Sequence, residues 1–476
     1  MKTYQDLLSL GDDEKARMDF VLSVISEHES SELYRTAKDA EMYYRHLNPT
    51  IMRAQKLIYD ALGRAAVDIF AANHKIPSRY YYYFVTQETQ YLLANGVSFG
   101  TDGTKDKLGK DFDEVISALA VAALNGGVAF GFWNDDKLEV FPVAGIGSEP
   151  SFVPIYDEEN GALMAGVRYW RLDADKPLRC ALYEIDGVTE YIRRKSQDIT
   201  VYQEKRPYRF NIGQSEASGT EIYNGMNWDT LPIIPLFNVN KQSEIVGGRE
   251  TIDAYDLMAS ALVNNIDDAN LIYWVIKNAG GMDDVDDAQF VQRLKTLHVA
   301  HVDGTANTEI TSHSVEAPFE ANETALKRLR SQLFDDFMAL DVKEIADGAA
   351  TATQIRAAYE PLNSKADMFE HCVTRFIRSL LALLGIDDSP TYTRSTIVNQ
   401  AEEIQNLTVA ADYLSSDYVT RKVLEIMGDI DDVDEVIRQK ESEEARRFTT
   451  NQNNGNGNGE NEENEKEMGE YQGGEV

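Results

Sequence analysis

The sequence is short of nearly everything that reaction chemistry draws on. Its 476 residues include two cysteines, Cys180 and Cys372. That excludes a disulfide framework and sets a reducing compartment as the expectation. Cys372 falls in a helical pattern, where a small core residue is expected. The seven histidines are scattered, with no H-E-x-x-H and no Cys/His cluster at zinc spacing. No G-x-S-x-G elbow occurs. GTKDKLGKD (Gly103–Asp111) has the look of a phosphate loop. Its glycines stand one residue too far apart, and Asp111 occupies the place where magnesium needs Ser or Thr. GGVAFG (Gly126–Gly131) lies at a helix-to-strand boundary, the reverse of the order a dinucleotide loop uses. Apolar runs such as Leu271–Ile276 are far too short to span a bilayer. The N-terminal stretch lacks the apolar core of a signal peptide.

Positive charge is scarce as well. There are 46 Lys and Arg against 80 Asp and Glu, a formal net of −34. The tail beyond Arg447 holds seven Glu and one Lys, so about −28 remains in the body. A field of that sign does not attract nucleic acid, and no basic DNA-reading element is present. Two acidic clusters stand out, Asp283–Asp287 and Asp429–Glu435. Neither has the glycine and terminal Glu of a calcium loop, so solvated turns are expected. A metal-dependent hydrolase built on them, or a monomeric scaffold, stays open at this point.

What is present is pattern. Residues 1–127 read as helical, including the Tyr80–Tyr83 run, and TIMRAQKLIYDALGRAAVDIFAANH carries three- and four-residue apolar spacing. Gly126 and Gly127 stop the helix in DFDEVISALAVAALNGG. Residues 128–247 switch to short β-rich runs separated by turns such as Asn134-Asp135, Glu159-Asn160-Gly161 and Asp186-Gly187, the signature of antiparallel hairpins. From Arg249 to Asn278 the chain runs about 30 residues without Pro or Gly, which predicts one helix of roughly 45 Å. Tyr255, Met258, Leu262, Ile266, Ala269, Tyr273 and Ile276 form its apolar stripe, and Asp253, Asp256, Ser260, Asn264 and Asp267 the polar one. A mixed module follows, with a short helix near Phe290–Leu297 and strands at His298–Asp303 and Glu309–Val315. Asn322 is the expected N-cap of the next helix. A polar, small-residue loop, Asp341–Thr353, then leads into a helix whose buried stripe is Ile355, Tyr359, Leu362, Ala366, Phe369, Val373, Phe376, Leu380 and Leu383. Pro361 is expected to kink it. The tail 448–476 is low-complexity.

The order of these parts resembles the portal proteins of tailed double-stranded DNA bacteriophages. The segments that carry the resemblance are LPIIPLFNVNKQSEIVGGRETIDAYDLMASALVNNIDD (Leu231–Asp268), GAATATQIRAAYEPLNSKADMFEHCVTRFIRSLLALLGI (Gly348–Ile386), LSSDYVTRKVLEIMGDIDDVDEVIRQKESEE near the C-terminus, and EMYYRH followed by NPTI. The resemblance implies an α+β, mainly helical portal fold. The wing would comprise helices 1–127, the β insertion 128–247 and the kinked helix 354–392. The stem would be helices 248–279 and 321–340, with an αβ clip at 280–320. A tunnel loop at 341–353, a helical crown at 393–447 and an acidic tail would complete it. It implies a homo-oligomeric ring, typically a dodecamer, at one capsid vertex, with no cofactor and no membrane. Asp341, Lys343, Glu344, Asp347 and Gly348 would belong to the tunnel loop, and Asp253, Asp256, Asn264 and Asp267 would face the channel. Phe290, Arg293 and Lys295 would contact the motor or adaptor. Expected partners are the terminase large subunit, a head-completion adaptor, the major capsid and scaffolding proteins, and translocating duplex DNA held weakly and without sequence preference.

Overall fold

The computed structural model describes residues 2–59, 63–68, 71–195, 197–214, 221–269, 273–277, 309–313, 319–343, 352–395, 404, 407–427, 435–440 and 442. The chain divides into two compact units, Met1–Ser395 and Thr396–Val476. It contains helices and antiparallel sheets.

The first unit is built around the long helix Ala352–Leu383. Tyr359, Leu362, Ala366, Phe369, Val373, Phe376 and Leu380 are all buried on one side of it, as the spacing predicts. The helix runs through Pro361, which sits on the exposed face, and gives way to Gly385 at φ 67°. Its buried side meets a three-stranded sheet in the order Ile233–Phe237, Val128–Asn134, Lys137–Pro142. The close fit depends on Gly131, where a Cβ would stand 2.5 Å from the Phe376 ring. The helix Phe112–Gly126 covers the same core with Phe112, Ile116, Leu119, Ala123 and Leu124. Gly127 ends it at φ 73°, pressed against the backbone of residues 241–243, a place only glycine fits without strain.

A five-stranded antiparallel meander follows: Ser151–Tyr156, Leu163–Trp170, Leu178–Glu184, Gly187–Arg193 and Ile199–Arg206. Two of its four connections fall at the expected signals, Asn160-Gly161 and Asp186-Gly187. One face packs on the helix Glu14–Glu29 through Val153, Val167, Leu182 and Tyr191 against Val21, Val24 and Ile25. The other face meets the three-stranded sheet through Phe130, Phe141, Phe152 and Tyr183. Burying each such ring stabilises the fold by roughly 1.5–3 kcal/mol. The Tyr80–Tyr83 run opens the helix Tyr80–Leu93, as expected.

Three expectations are overturned. The segment after Tyr44 is not a long helix. It is a short helix, Pro49–Arg53, then a two-stranded pair, Leu57–Tyr59 with Ala65–Val67, and residues 71–79 have no regular structure. The helix that begins at Arg249 ends at Ala269, about 31 Å long. Beyond it, Tyr273–Lys277 is a strand paired with Glu309–His313, the second of these being an expected strand. Finally, the next helix is Phe319–Asp336, so Asn322 lies inside it and does not cap it.

In the second unit, the helix Ser416–Met427 is joined to the stretch 435–440 through Lys440, whose Nζ donates to Ser416 Oγ at 2.6 Å and to Thr420 Oγ1 at 2.7 Å.

Candidate functional site

Two constellations concentrate the buried polar chemistry of the first unit. Both surround the helices Arg249–Ala269 and Phe319–Asp336.

The first is a ladder between the polar stripe of helix Arg249–Ala269 and the extended segment 74–78. The Ser78 amide donates to Asp256 Oδ1 at 2.9 Å, the Ile76 amide to Ser260 Oγ at 3.0 Å, and the His74 amide to Asn264 Oδ1 at 2.7 Å. The match is geometric. Four helical residues rise about 6 Å, and two extended residues advance about 6.6 Å, so every second amide meets every fourth side chain. Asn48 Nδ2 also donates to Asp256, and His74 Nε2 lies 3.0 Å from Asp267 Oδ2. One turn earlier, Tyr43 donates to Asp253 at 2.5 Å and Thr50 at 2.7 Å. Burial, with help from the adjacent Asp253 carboxylate, pushes the Tyr43 phenol up to about 12, so it stays a donor. Burial also raises the Asp256 carboxyl above the usual range, against the hydrogen bonds that favour its charged form.

The expectation that Asp256 and Asn264 face a channel is therefore corrected. Asp256 is 0% exposed and Asn264 5%, because backbone amides of an irregular segment need acceptors. Asp253 is half-buried under Tyr43 and Thr50, and Asp267 is exposed beside His74. Ile266 of the apolar stripe is instead uncovered, as is Val263 beside it, and Leu257 is exposed on the opposite side of the helix. Replacing Asp256 by Ala leaves the Ser78 amide without its acceptor and the Asn48 side-chain amide with the Ser78 carbonyl alone. The expected loss is roughly 2–4 kcal/mol of unfolding free energy in denaturant titration; a loss below the error of the titration would show that the ladder is not structural.

The second constellation fixes the chain on both sides of residues 344–351. Lys365, inside the long helix, places Nζ 2.9 Å from Glu88 Oε2, 2.5 Å from Glu244 Oε1 and 3.0 Å from the Phe337 carbonyl, to which it donates. Gln87 grips both sides of Leu340, accepting from its amide at 2.9 Å and donating to its carbonyl at 3.0 Å. Tyr83 donates to the same carbonyl at 3.2 Å. Arg330 closes on Asp341 at 2.6 Å. Leu340, Tyr91, Tyr359, Leu362 and Ala366 form an apolar cluster beneath this frame. The chain at 337–341 is thus held by three elements at once. Lys343 is exposed. Glu344, Asp347, Gly348, Phe290, Arg293 and Lys295 lie outside the described residues, as do the expected helix near Phe290 and the strand His298–Asp303.

Burial raises the Glu88 carboxyl to about 7, against the pull of Lys365 and with the push of Glu244. Burial works to lower Lys365, but the two carboxylates outweigh it and its ammonium is held above the ordinary lysine value. One cation faces two carboxylates, so ionising both leaves an excess buried charge. A carboxyl raised on folding contributes stability in full at acid pH, and that contribution is lost as pH climbs through about 7. Glu88→Gln removes the titration. Relative to the parent chain, the variant should gain roughly 1–3 kcal/mol between pH 5 and 8. A pH-independent difference in midpoint would count against an ionising Glu88.

The sequence held a signal for this cluster that periodicity alone passes over. Glu88 interrupts the apolar stripe Tyr81, Phe84, Val85, Leu92, and Lys365 interrupts Leu362, Ala366, Phe369. Two opposite charges, each on a buried stripe, mark a pair. Among the described residues no group of three or more His, Cys, Asp or Glu could hold a metal ion, and no helix is long and apolar enough to cross a membrane.

The comparisons agree with one another. A family model described as "Phage portal protein, SPP1 Gp6-like" matches residues 22–449. A "Portal protein" of Bacillus phage SPP1 is 24% identical over 412 residues, covering 81% of this chain and 79% of the relative. A "Portal protein" of Clostridium phage phiCD119 (strain Clostridium difficile/United States/Govind/2006) is 22% identical over 380 residues, covering 74% of this chain and 81% of the relative.

Proposed function

The chain belongs to the SPP1 Gp6-like family of phage portal proteins, and from that premise we propose that copies of it form a ring, typically a dodecamer, at one capsid vertex, through which duplex DNA enters and leaves. The family match favours this reading over a metal-dependent hydrolase or a monomeric scaffold. The ring is structural and performs no catalysis. The packaging ATPase is a separate protein, the terminase large subunit.

The observation that carries the channel reading is the clamped root at 337–341. A loop that meets a moving polymer needs a rigid base, and Lys365, Gln87 and Arg330 supply one from three different elements. Residues 341–353 are the tunnel loop in this reading, with Lys343 as its exposed cation and Asp341 as its fixed end. The helix Ala352–Leu383 crosses the wing and bends at Pro361 in this reading. Helices 249–269 and 319–336 form the stem, and the strands 273–277 and 309–313 begin and end the clip. Residues 1–127 and 128–247 are the wing. Residues 393–447 are the crown, ahead of the acidic tail. The clip, with Phe290, Arg293 and Lys295, docks the motor and then a head-completion adaptor, while the wing meets capsid and scaffolding proteins.

Val263 and Ile266, one turn apart, give the stem an uncovered apolar face suited to a neighbouring copy, since a closed ring needs two unlike surfaces that fit head to tail. The net charge of −34 per copy keeps duplex contacts weak, which sliding requires. Size-exclusion chromatography with light scattering tests the ring. The expected species has a mass many times 53.5 kDa, in exchange with a monomer on dilution. A mass that stays at 53.5 kDa across the whole concentration range counts against it.

A further inference from the structure

We propose that the end of the five-stranded sheet formed by the turns 171–177 and 194–198 is a docking site for an acidic segment of a partner protein carrying an apolar anchor. The site stands apart from the channel reading and does not depend on it.

The register brings the two turns together. Trp170 pairs with Arg179, and Leu178 pairs with Arg193, so both turns leave the sheet at the same end. They carry Arg171, Lys176, Arg193, Arg194 and Lys195, all exposed and none in an ion pair among the described residues. Elsewhere on the same unit Arg17, Arg45, Arg206 and Arg249 each sit against a carboxylate. Asp173, Asp175 and Asp198 share the turns and do not neutralise the five cations. In a chain with 80 acidic residues and 46 basic ones, an unpaired cationic surplus is the exception.

Beside this edge a cavity of about 430 Å³ opens where the C-terminal end of helix Glu14–Glu29 stops over the sheet. Ile25, Tyr34, Tyr169 and Leu178 line it, and Arg171 and Arg193 stand in its wall. Leu178 and Tyr169 pack on the helix-covered face, and Arg193, directly opposite Leu178, projects on that face too. Of the two acids in the wall, Glu149 is held by Arg45, which leaves Glu29 against the arginines. Leu172, on the first turn, is 70% exposed.

A cationic edge with an exposed leucine suits a polypeptide that packs one apolar side chain on Leu172 and offers carboxylates to the cations around it. Duplex DNA would use the cations, but a phosphate backbone has no use for Leu172, and the body's negative field opposes it.

The test uses the full chain and a fluorescein-labelled peptide of Asp and Glu around a central Leu-Leu pair, read by fluorescence anisotropy. Binding is expected, weakening as salt rises. The double variant Arg171→Glu, Arg193→Glu should lose roughly tenfold or more in affinity and flatten the salt dependence. Leu172→Ser should weaken binding and keep the salt dependence. Arg378→Glu, exposed on the long helix, should change neither, and circular dichroism should confirm that every variant is folded. Equal binding by the parent chain and the double arginine variant would overturn the proposal. So would a labelled DNA duplex that binds the same edge more tightly than the peptide.

Discussion

Lys365→Met is expected to destabilise the chain by roughly 3–5 kcal/mol, the cost of leaving paired carboxylates in the interior without their cation. The side chain is 8% exposed and, among the described residues, is the one cation against Glu88 and Glu244. The loss should be largest at high pH, where both carboxylates are charged. It should also loosen the chain at 337–343, because Lys365 donates to the Phe337 carbonyl. Trypsin cleavage after Lys343 reports that directly and should quicken in the variant under conditions where the rest of the fold stays protected. The triple change Glu88→Gln, Glu244→Gln, Lys365→Met should recover most of the stability, since an uncharged cluster leaves no isolated charge behind. A single variant as stable as the parent at pH 8 would mean that the cluster is not a structural centre.

A second large effect is expected on assembly. Val263 and Ile266 are 36% and 48% exposed on one side of the helix Arg249–Ala269. Burying each against a neighbouring copy would contribute about 1.5–3 kcal/mol, multiplied around a ring. Val263→Asp with Ile266→Asp replaces that contribution with the cost of desolvating two carboxylates. Light scattering should show the assembled species replaced by one of 53.5 kDa, while the monomer's melting transition stays nearly unchanged. Rings that form normally in the double variant would remove this face from the interface. A monomer that no longer folds would show that the face is packed within the chain.

How much of this was legible in the sequence depends on whether the deciding contact was local. The long helix was legible because its apolar residues recur over 32 residues, and the next copies of the pattern reinforce one another. The hairpins at Asp186-Gly187 and Asn134-Asp135 were legible because the turn residues themselves set the geometry. Tyr273–Lys277 was not. Its residues are apolar on both faces, so the strand reads like one more turn of the helix before it, and its partner lies at Glu309–His313. The stretch that ends near His74 has helical spacing, yet the amides of His74, Ile76 and Ser78 are satisfied by side chains 178 to 190 residues away, at Asn264, Ser260 and Asp256. The same contact inverted the reading of the helix. A stripe of Asp, Ser and Asn suggests a solvated face unless an extended segment is known to lie on it. The resemblance implies a tunnel loop at 341–353, and the packing of Gln87, Lys365 and Arg330 reveals how the chain at 337–341 ahead of it is held.

The central claim is that copies of this chain encircle an opening lined at its narrowest point by residues 341–353. Electron microscopy of the purified assembly, with a gold label on a cysteine introduced at Lys343, tests it most directly. The account predicts closed rings with a through-going hole and label density at its inner edge. Solid particles without a hole, or label on the outer rim of the rings, would contradict it.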